Sequence, residues 1–544
     1  VDGSQAWEVD GSEFFFGIDG DASKFQTLTW DDNDALIFWE DNRWAGTGSV
    51  SMAQVMDQTG AIQYAMDGEV LSGNEQQLSP IIVPDNEGGA YITYTNISTG
   101  TEILFAQHVG DDLAPTWASD GIQVNPNAIL GQFKPQMVTS ADAYLYYFWT
   151  EDIFFQGLLL HAQKYDINGV AQWAAGGLQI GPPEIGGDKY VTSAIAMADS
   201  TVIYVWESET VDGTKTYVSK LSPAGSNIWT EAVTEAAGTQ RSSVAAYNPE
   251  SDLLIIAWED LRNVSESSVD LYAVSVDTDG NLGAEQLISN QFGDQTNLAL
   301  SFADDNSSTL YAAWQDYDGF QHDIYVKNLT TDTAAEQITT LPTENKAPAL
   351  RTISGSRYLV AWEDVRNGIH SDLYFYDSHP DSRGHGVEGV PLCLAILNQM
   401  QPQIVSFAGS NPDSLSYLIT WQDMRSSGKT ELTNIYAQAY SGQMPVSVDE
   451  VVVAQEFKVG SAYPNPFNGA VTIPIENLGT TNLDLHIYDL KGREILHESL
   501  ENHTGHNYTW RGQNRLGKNL SSGVYLISIV SETQLHTQKV MFIK

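Results

Sequence analysis

Eight times along the chain an aromatic residue opens a short polar phrase, and the spacing is nearly constant. The copies are Trp39-Glu40-Asp41, Tyr94-Thr95-Asn96, Trp149-Thr150-Glu151, Trp206-Glu207-Ser208, Trp258-Glu259-Asp260, Trp314-Gln315-Asp316, Trp362-Glu363-Asp364 and Trp421-Gln422-Asp423. Successive aromatics stand 55, 55, 57, 52, 56, 48 and 59 residues apart. Such a period restricts the fold to stacked or radially arranged units, each one supersecondary structure.

Each unit reads as strands. The aromatic ends an apolar run such as DLLIIAW or RYLVAW. Pro80, Pro135 and Pro348 open an earlier run 14 residues before it, and Pro402 does so 19 residues before Trp421. After the phrase come alternating segments (DLYAVSV, DIYVKNL, DLYFYD, NIYAQAY, LLHAQKY), then Gly-containing turns such as DTDGN and DINGV, then a last short strand. Period-two alternation with such turns predicts hairpins, and no long segment has helical periodicity. Four antiparallel strands per unit, repeated, is the pattern of a β-propeller, whereas a β-solenoid needs shorter rungs. The eighth unit stops at YAQAYSGQM without a last strand, and the opening SQAWEVDGSEFFF resembles the last strands at 113–124 and 170–180. The expectation is an all-β chain: an eight-bladed β-propeller over 1–443, closed by the N-terminal strand so that no blade edge stays open, a linker over 444–456, and a second small domain over 457–544.

A residue type needed once per blade reads as structural. The aromatic is expected to pack between blades. The Asp and Arg that follow (Asp41 and Arg43, Asp260 and Arg262, Asp364 and Arg366, Asp423 and Arg425) are expected to hold turns or bridge blades. Units that depart from the phrase are better functional suspects: the second with YTNIST, the third with WTEDIFFQG, the fourth with WESETVDG.

Charge excludes some partners. With 25 Lys and Arg against 70 Asp and Glu, the formal net charge is −45, which repels nucleic acid and anionic lipid. The acidity serves solubility, or its carboxylates hold a divalent cation such as calcium. At 42% hydrophobic and 10% aromatic the chain can build a real core. No run of 18 or more apolar residues occurs, so no transmembrane segment is expected. The start at Val1 suggests a processed N-terminus. Cys393 is the single cysteine, so no internal disulfide forms, and it is expected in or near a strand. From Phe457 onward there are 8 Lys and Arg and 7 Asp and Glu, a shift that marks a domain boundary.

The tail carries VGSAYPNPFNGAVTIPI, LDLHIYDLKGREI, YTWRGQNRLGKNLSSGVYLISIV and KVMFIK. Short alternating strands between Pro, Asn and Gly turns predict a small β-sandwich. The series resembles the immunoglobulin-like C-terminal sorting domain of type IX secretion substrates in Bacteroidota and related phyla. Tyr463, Pro464, Asn465 and Pro466 of YPNPFN, Gly492 of DLKGREI, Gly523 of SSGVYLI and the terminal Lys544 fall in the expected order. The resemblance implies an N-terminal signal peptide, handling by the type IX secretion machinery, and a secreted or surface-attached product of a Gram-negative-type bacterium. In that family the tail is commonly removed. The repeats in turn resemble those of large secreted proteins from these bacteria.

No His-Glu-x-x-His zinc motif, phosphate loop or Gly-x-Ser-x-Gly elbow is present. In GIHSDLYFYDSHPDSRGHG, His370, His379, His385, Asp377 and Asp381 are candidates for a metal group, above all His379, Asp381 and His385; the plain alternative is a long polar loop. Phe154 and Phe155 of EDIFFQG are candidates to stack on sugar rings, or to pack against the sandwich. Two functions remain. One is a secreted or surface binding or structural protein that meets a glycan, a surface protein or copies of itself. The other is a polysaccharide-active enzyme, a glycoside hydrolase or lyase. Glycosidases need two carboxylates at a set separation, and the sequence singles out no pair. A mouth pocket with unrepeated polar residues favours an enzyme; a channel of repeated residues disfavours one.

Overall fold

The computed structural model describes residues 12–13, 22–441 and 457–544 apart from short stretches, the longest being 380–387, 408–415 and 426–432. The linker expected at 444–456 lies outside the described residues, as do Arg43, Asp381, His385 and Gly492. The chain splits into two compact units, Val1–Val446 and Ser447–Lys544. Among the described residues every regular element is a strand.

The first unit is built of four-stranded antiparallel meanders. Gln132–Thr139, Leu145–Ile153, Gly157–Tyr165 and Leu178–Gln179 pair in chain order, and the same order recurs along the chain. Two successive meanders, starting at Gln240 and Gly293, fuse into one eight-stranded sheet through a short parallel contact of Ser268 and Val269 with Gly293 and Asp294. These sheets fit the blades of a β-propeller. The first strands are Ala22–Thr29, Gln77–Pro84, Gln132–Thr139, Asp188–Ala196, Gln240–Asn248, Gly293–Phe302, Asn345–Ser354 and Gln399–Ser406. Each touches the next, and Gln399–Ser406 touches Ala22–Thr29, so the run of contacts returns to its start. At that join Gln403 Oε1 accepts from Thr27 N at 2.7 Å, and Gln403 Nε2 donates to the Phe25 carbonyl at 2.9 Å. Ser12–Glu13 pairs with Asn434–Ser441, beyond Ser416–Asp423 and Gln399–Ser406 in the same sheet.

The repeated phrase holds these sheets together. All eight of its aromatics are fully buried. Each packs toward the preceding sheet: Trp39 lies among Val405, Leu418, Ile435 and Ala437, and Trp421 among Ile353, Leu359 and Phe375. A buried indole N–H needs an acceptor, and the residue two positions on supplies it. Trp39 bonds Asp41 at 3.1 Å, Trp149 bonds Glu151 at 2.8 Å, Trp258 bonds Asp260 at 2.8 Å and Trp421 bonds Asp423 at 3.1 Å. In the departing units Trp206 uses Ser219 Oγ at 2.9 Å, and the Tyr94 hydroxyl donates to the Asp120 carbonyl at 2.6 Å. The Asp then accepts from an Arg two further on, as Arg366 Nε does to Asp364 at 2.7 Å and Arg425 Nε to Asp423 at 2.8 Å. That guanidinium lies on a third-strand tyrosine: Arg262 over Tyr272 at 4.0 Å, Arg366 over Tyr374 at 3.7 Å, Arg425 over Tyr436 at 4.1 Å. The same tyrosines stack on the Trp rings. Aromatic, carboxylate, guanidinium and tyrosine thus form one buried layer. The glycine before the last strand completes it, since a Cβ on Gly389 (φ +65°) would meet Trp362 Cη2 at 2.3 Å and one on Gly177 (φ +80°) would meet Trp149 Cη2 at 2.5 Å.

The sixth unit lacks the arginine, and its carboxylate feels the difference. Burial alone raises Asp260, yet Arg262 and Trp258 hold it below the usual range. Asp316 has 3.4 Å bonds from Trp314 and Gln295, and burial pushes it up to about 6. The folded chain therefore keeps a proton that the unfolded chain gives up near its ordinary value. The stability this contributes is fully present below the unfolded value and is lost as pH rises through about 6. Asp316→Asn is expected to raise the melting temperature by about 1–2 °C at neutral to mildly alkaline pH and to leave it unchanged only at a pH below the ordinary carboxylate value. Melting curves on both sides of the transition test this; an equal offset at both rejects it.

In the second unit, Phe457–Val459, Val471–Asn477 and His506–Trp510 form one sheet. Glu494–Leu500, Leu483–Asp489, Gly523–Val530 and Leu535–Phe542 form the other, in that order. Alternate residues point inward and share one core, including Val471, Ile473, Leu485, Ile487, Trp510, Ile527, Ile529 and Val540.

Candidate functional site

The first strands are not regular. Seven carry a bulge at which a non-glycine residue adopts positive φ: Lys24 (52°), Ser79 (48°), Lys134 (47°), Ser242 (52°), Asn297 (55°), Ala347 (51°) and Gln401 (55°). This conformation costs roughly 1–2 kcal/mol per residue, so its recurrence needs a compensating bond. The bulge presents a backbone N–H to the preceding sheet, where the middle residue of the phrase accepts it. Glu40 takes Ser79 N at 2.7 Å, Gln315 takes Ala347 N at 3.1 Å and Glu363 takes Gln401 N at 2.9 Å. Glu207 takes Ser243 N at 2.8 Å and its hydroxyl at 2.9 Å. Burial pushes Glu207 and Glu363 above the usual carboxylate range.

Of the two roles expected of Asp and Arg of the phrase, holding turns or bridging blades, their bonds show the first: the backbone N–H groups of Arg262, Arg366 and Arg425 donate to the Asp two residues back at 2.7–2.8 Å. Arg262 reaches Glu285 and Arg366 reaches the Glu388 carbonyl, both in their own meander. Successive side chains on a strand point to opposite faces. Aromatic and Asp share the face toward the preceding sheet, so the residue between them faces the following one and does the bridging.

Three joints lack this clamp. The second unit has Thr95 at the middle position. The third has Thr150, whose hydroxyl donates to the Lys189 carbonyl at 2.8 Å, and the eighth has Gln422, whose amide nitrogen turns to the Ala22 carbonyl at 3.2 Å. The bulge residues that follow Thr95 and Gln422 are Lys134 and Lys24. Among the described residues, neither backbone N–H is taken by a side chain of the preceding sheet, and neither ammonium has a carboxylate within 4 Å. Both are exposed, and both line one cavity of about 1010 Å³, together with Phe133, Tyr190, Asp152, Glu102 and Gln401. Lys134 Nζ sits 3.6 Å over the Tyr190 ring, and the Tyr190 hydroxyl donates to Glu209. Burial, reinforced by Glu209, raises the Tyr190 phenol, which keeps it protonated.

The other sequence candidates lie apart from this cavity or were not brought together. Phe154 and Phe155 are 69% and 95% exposed in the turn between Leu145–Ile153 and Gly157–Tyr165, with ring centroids 4.2 Å apart. Asp152 and Leu158, which flank that turn, line the cavity; the two phenylalanines do not. His379 N donates to Asp377 Oδ1 at 2.9 Å, and Asp377 is held by Arg357 in a buried ion pair. Among the described residues no group of three His, Cys, Asp or Glu is placed to hold a metal ion. Cys393 is buried at the end of Val390–Cys393. In the tail, Tyr463 is 53% exposed and pairs with Thr472, while Pro464 and Pro466 are exposed. Asn465 bonds the last strand from both ends of its amide, to the Lys539 carbonyl at 2.9 Å and from Met541 N at 2.8 Å. Gly523 starts a strand, and Lys544 N donates to Ser522 Oγ at 2.8 Å.

Sequence reasoning missed the buried amides three residues before each strand-opening proline. Gln77 Oε1 takes Ser51 N at 2.8 Å and Gln132 Oε1 takes Leu104 N at 3.0 Å, each from the third strand of the preceding sheet. The signal was present as Gln-x-x-Pro or Asn-x-x-Pro at Gln77, Gln132, Asn345 and Gln399. At the equivalent ladder position the fourth unit has Lys189, opposite Ser208.

Residues 461–544 match the family described as secretion system C-terminal sorting domain. The chain is thus marked for export through the type IX machinery, to the medium or the cell surface. No curated protein matches the chain. Among solved structures it is similar to a protein of unknown function from Dyadobacter fermentans, at 10% identity and TM-score 0.38, over 66% of this chain and 94% of that one. It is also similar to an α-L-arabinofuranosidase from Fusarium graminearum, at 10% identity and TM-score 0.34, over 57% and 93%. A third is a puromycin hydrolase, at 13% identity and TM-score 0.43, over 76% and 62%. Likenesses this weak carry no statement about activity. Among the described residues no helix is long and apolar enough to cross a membrane.

Proposed function

We propose that this chain is an exported binding protein. Its first domain, 1–443, is an eight-bladed β-propeller closed by Ser12–Glu13, and its second, 457–544, is an immunoglobulin-like sandwich that serves as the export address. The returning run of first-strand contacts and the pairing of Ser12 with Ala437 support the closed ring. The observation that carries the functional reading is a division of labour among polar residues. The repeated carboxylates are consumed inside the fold by indoles, guanidiniums and bulge amides, while one cavity is lined by equivalent positions of successive units that carry different residues, Lys24, Ser79, Lys134 and Gln401 among them. On this reading recognition lies at that cavity and the acidic phrase is structural.

A lining whose residue types differ from unit to unit also supports a second reading, a polysaccharide-active enzyme. Asp152 and Glu102 both line the cavity, but Tyr190, the phenol available there, is held protonated beside Glu209 and is a poor base. The expected result is that purified full-length protein is retained by an insoluble or gel-embedded polysaccharide and releases no reducing ends or unsaturated sugars on long incubation. Product release that scales with enzyme concentration would replace the binding reading by the enzymatic one. Failure to retain any polysaccharide would reject both.

A further inference from the structure

We propose that the cavity at Lys24 and Lys134 binds an acidic polysaccharide, with uronic-acid carboxylates held by these two residues and sugar faces laid against Phe133 and Tyr190. This rests on the binding reading above and names its ligand class. Three independent observations converge on it.

The first is charge. In a unit with a large excess of carboxylates, many cations are paired with one: Arg241 with Glu259, Arg351 with Asp304, Arg357 with Asp377, Arg425 with Asp423. Lys24 and Lys134 are exposed and have no such partner among the described residues, yet they line the same cavity. The same lining includes Glu102 and Asp152, so the positive potential is confined to the immediate surroundings of each ammonium. At physiological salt the Debye length is about 8 Å, so distant carboxylates are screened while a contact inside the cavity is not.

The second is the backbone. Where the preceding sheet offers Glu or Gln, as at Ser79, Ala347 and Gln401, the bulge N–H is already bonded across the joint. At Thr95, Thr150 and Gln422 that acceptor is missing, and two of the three bulges that follow, those at Lys134 and Lys24, carry lysine. An amide N–H and an ammonium from one residue make a cradle for a carboxylate, with two charge-assisted donors on one anion.

The third is the wall. Phe133, Tyr190, Pro80 and Leu158 line the cavity beside the lysines. Its volume of about 1010 Å³ sits at the top of the range for ligand pockets, roughly 300–1,000 Å³, so it is larger than one small anion requires. A uronic-acid chain combines what the site offers: negative charges at intervals and apolar ring faces between them.

The test is calorimetric titration of the full chain with polygalacturonate, with its fully methyl-esterified form, and with dextran sulfate. The variants are Lys24→Gln/Lys134→Gln and Lys24→Arg/Lys134→Arg. Polygalacturonate is expected to bind at least tenfold more tightly than the ester. The Gln pair is expected to lose at least tenfold with an unchanged melting temperature, because both side chains are exposed, and the Arg pair to retain most of the affinity. Equal binding of acid and ester, or indifference to the Gln pair, would overturn the acidic-ligand assignment while leaving glycan binding in place. Equal or tighter binding of dextran sulfate would overturn the uronic-acid assignment in favour of a general polyanion site. If none of the three polymers binds, this assignment fails, and the broader reading stands or falls with the retention experiment above.

Discussion

Trp362→Ala is expected to lower the stability of the first unit by about 3–5 kcal/mol, the usual cost of deleting a buried Trp. More than a cavity is created. The ring is fully buried, packs against Ala313, Ile324 and Val326 of the preceding sheet, and stacks with Tyr374, over which Arg366 also lies. The indole also donates to Asn345 Oδ1 at 3.2 Å and Asp364 Oδ2 at 3.3 Å, so buried acceptors lose their donor. The effect is expected in denaturant unfolding of the full chain, with polysaccharide retention intact under native conditions. A variant that melts like the parent but no longer binds would show that the phrase belongs to the site and not to the scaffold. Gly389→Ala offers a check on the same layer. It is destabilising in the parent through the close approach to Trp362 and the carbonyl of Phe375, at 2.3 and 2.7 Å. Part of that cost should vanish in the Trp362→Ala background, because the ring it meets is gone.

Arg357→Leu is expected to cost a comparable amount, about 3–5 kcal/mol, because it strands a buried carboxylate. The Arg357 and Asp377 side chains are 5% and 1% exposed, joined by Nε to Oδ1 at 3.1 Å and Nη2 to Oδ2 at 2.7 Å. The pair itself contributes less than the loss of one partner, since both charges gave up their hydration on folding. The double variant Arg357→Leu/Asp377→Leu should therefore recover most of the stability. If the double variant is as unstable as the single one, the pair stabilises by more than mutual neutralisation. Urea midpoints for the parent, both single variants and the double variant decide this.

The repeat was the most legible part of the molecule. Period, strand order and turn chemistry can all be read locally, because a β-meander is short-range. The burial of Trp39 or Trp421 follows from its place at the end of an apolar run. The clamps were harder to see. They join Glu40 to Ser79 or Glu363 to Gln401 across a sheet boundary, and assigning them requires knowing which face each residue takes. The departure at Thr95 is plain in YTNIST, but its effect falls one sheet later, on Lys134, a residue that looks ordinary in its own unit. Lys24 is still less legible, since its partner position, Gln422, lies at the other end of the ring. Phe154 and Phe155 were conspicuous as aromatics in a polar turn, and they are exposed there, flanking the cavity without lining it. The histidine-rich stretch could not be judged from sequence, and Asp381 and His385 lie outside the described residues.

The joint-by-joint construction also bears on mechanics. Because most sheets are clamped to the next by a carboxylate or amide reading a strained bulge, the ring behaves like a chain of latches. Thr150 and Gln422 instead donate across their joints to the Lys189 and Ala22 carbonyls, and among the described residues Thr95 alone of the middle residues makes no such bond. The boundary between the sheet that starts at Gln77 and the sheet that starts at Gln132 therefore has one fewer restraint. Local opening follows the least stabilised boundaries. An extended ligand that engages Lys24 on one side of the Thr95 joint and Lys134 on the other would fasten the latch the sequence omits, so that occupancy of the cavity and rigidity of the ring become coupled quantities.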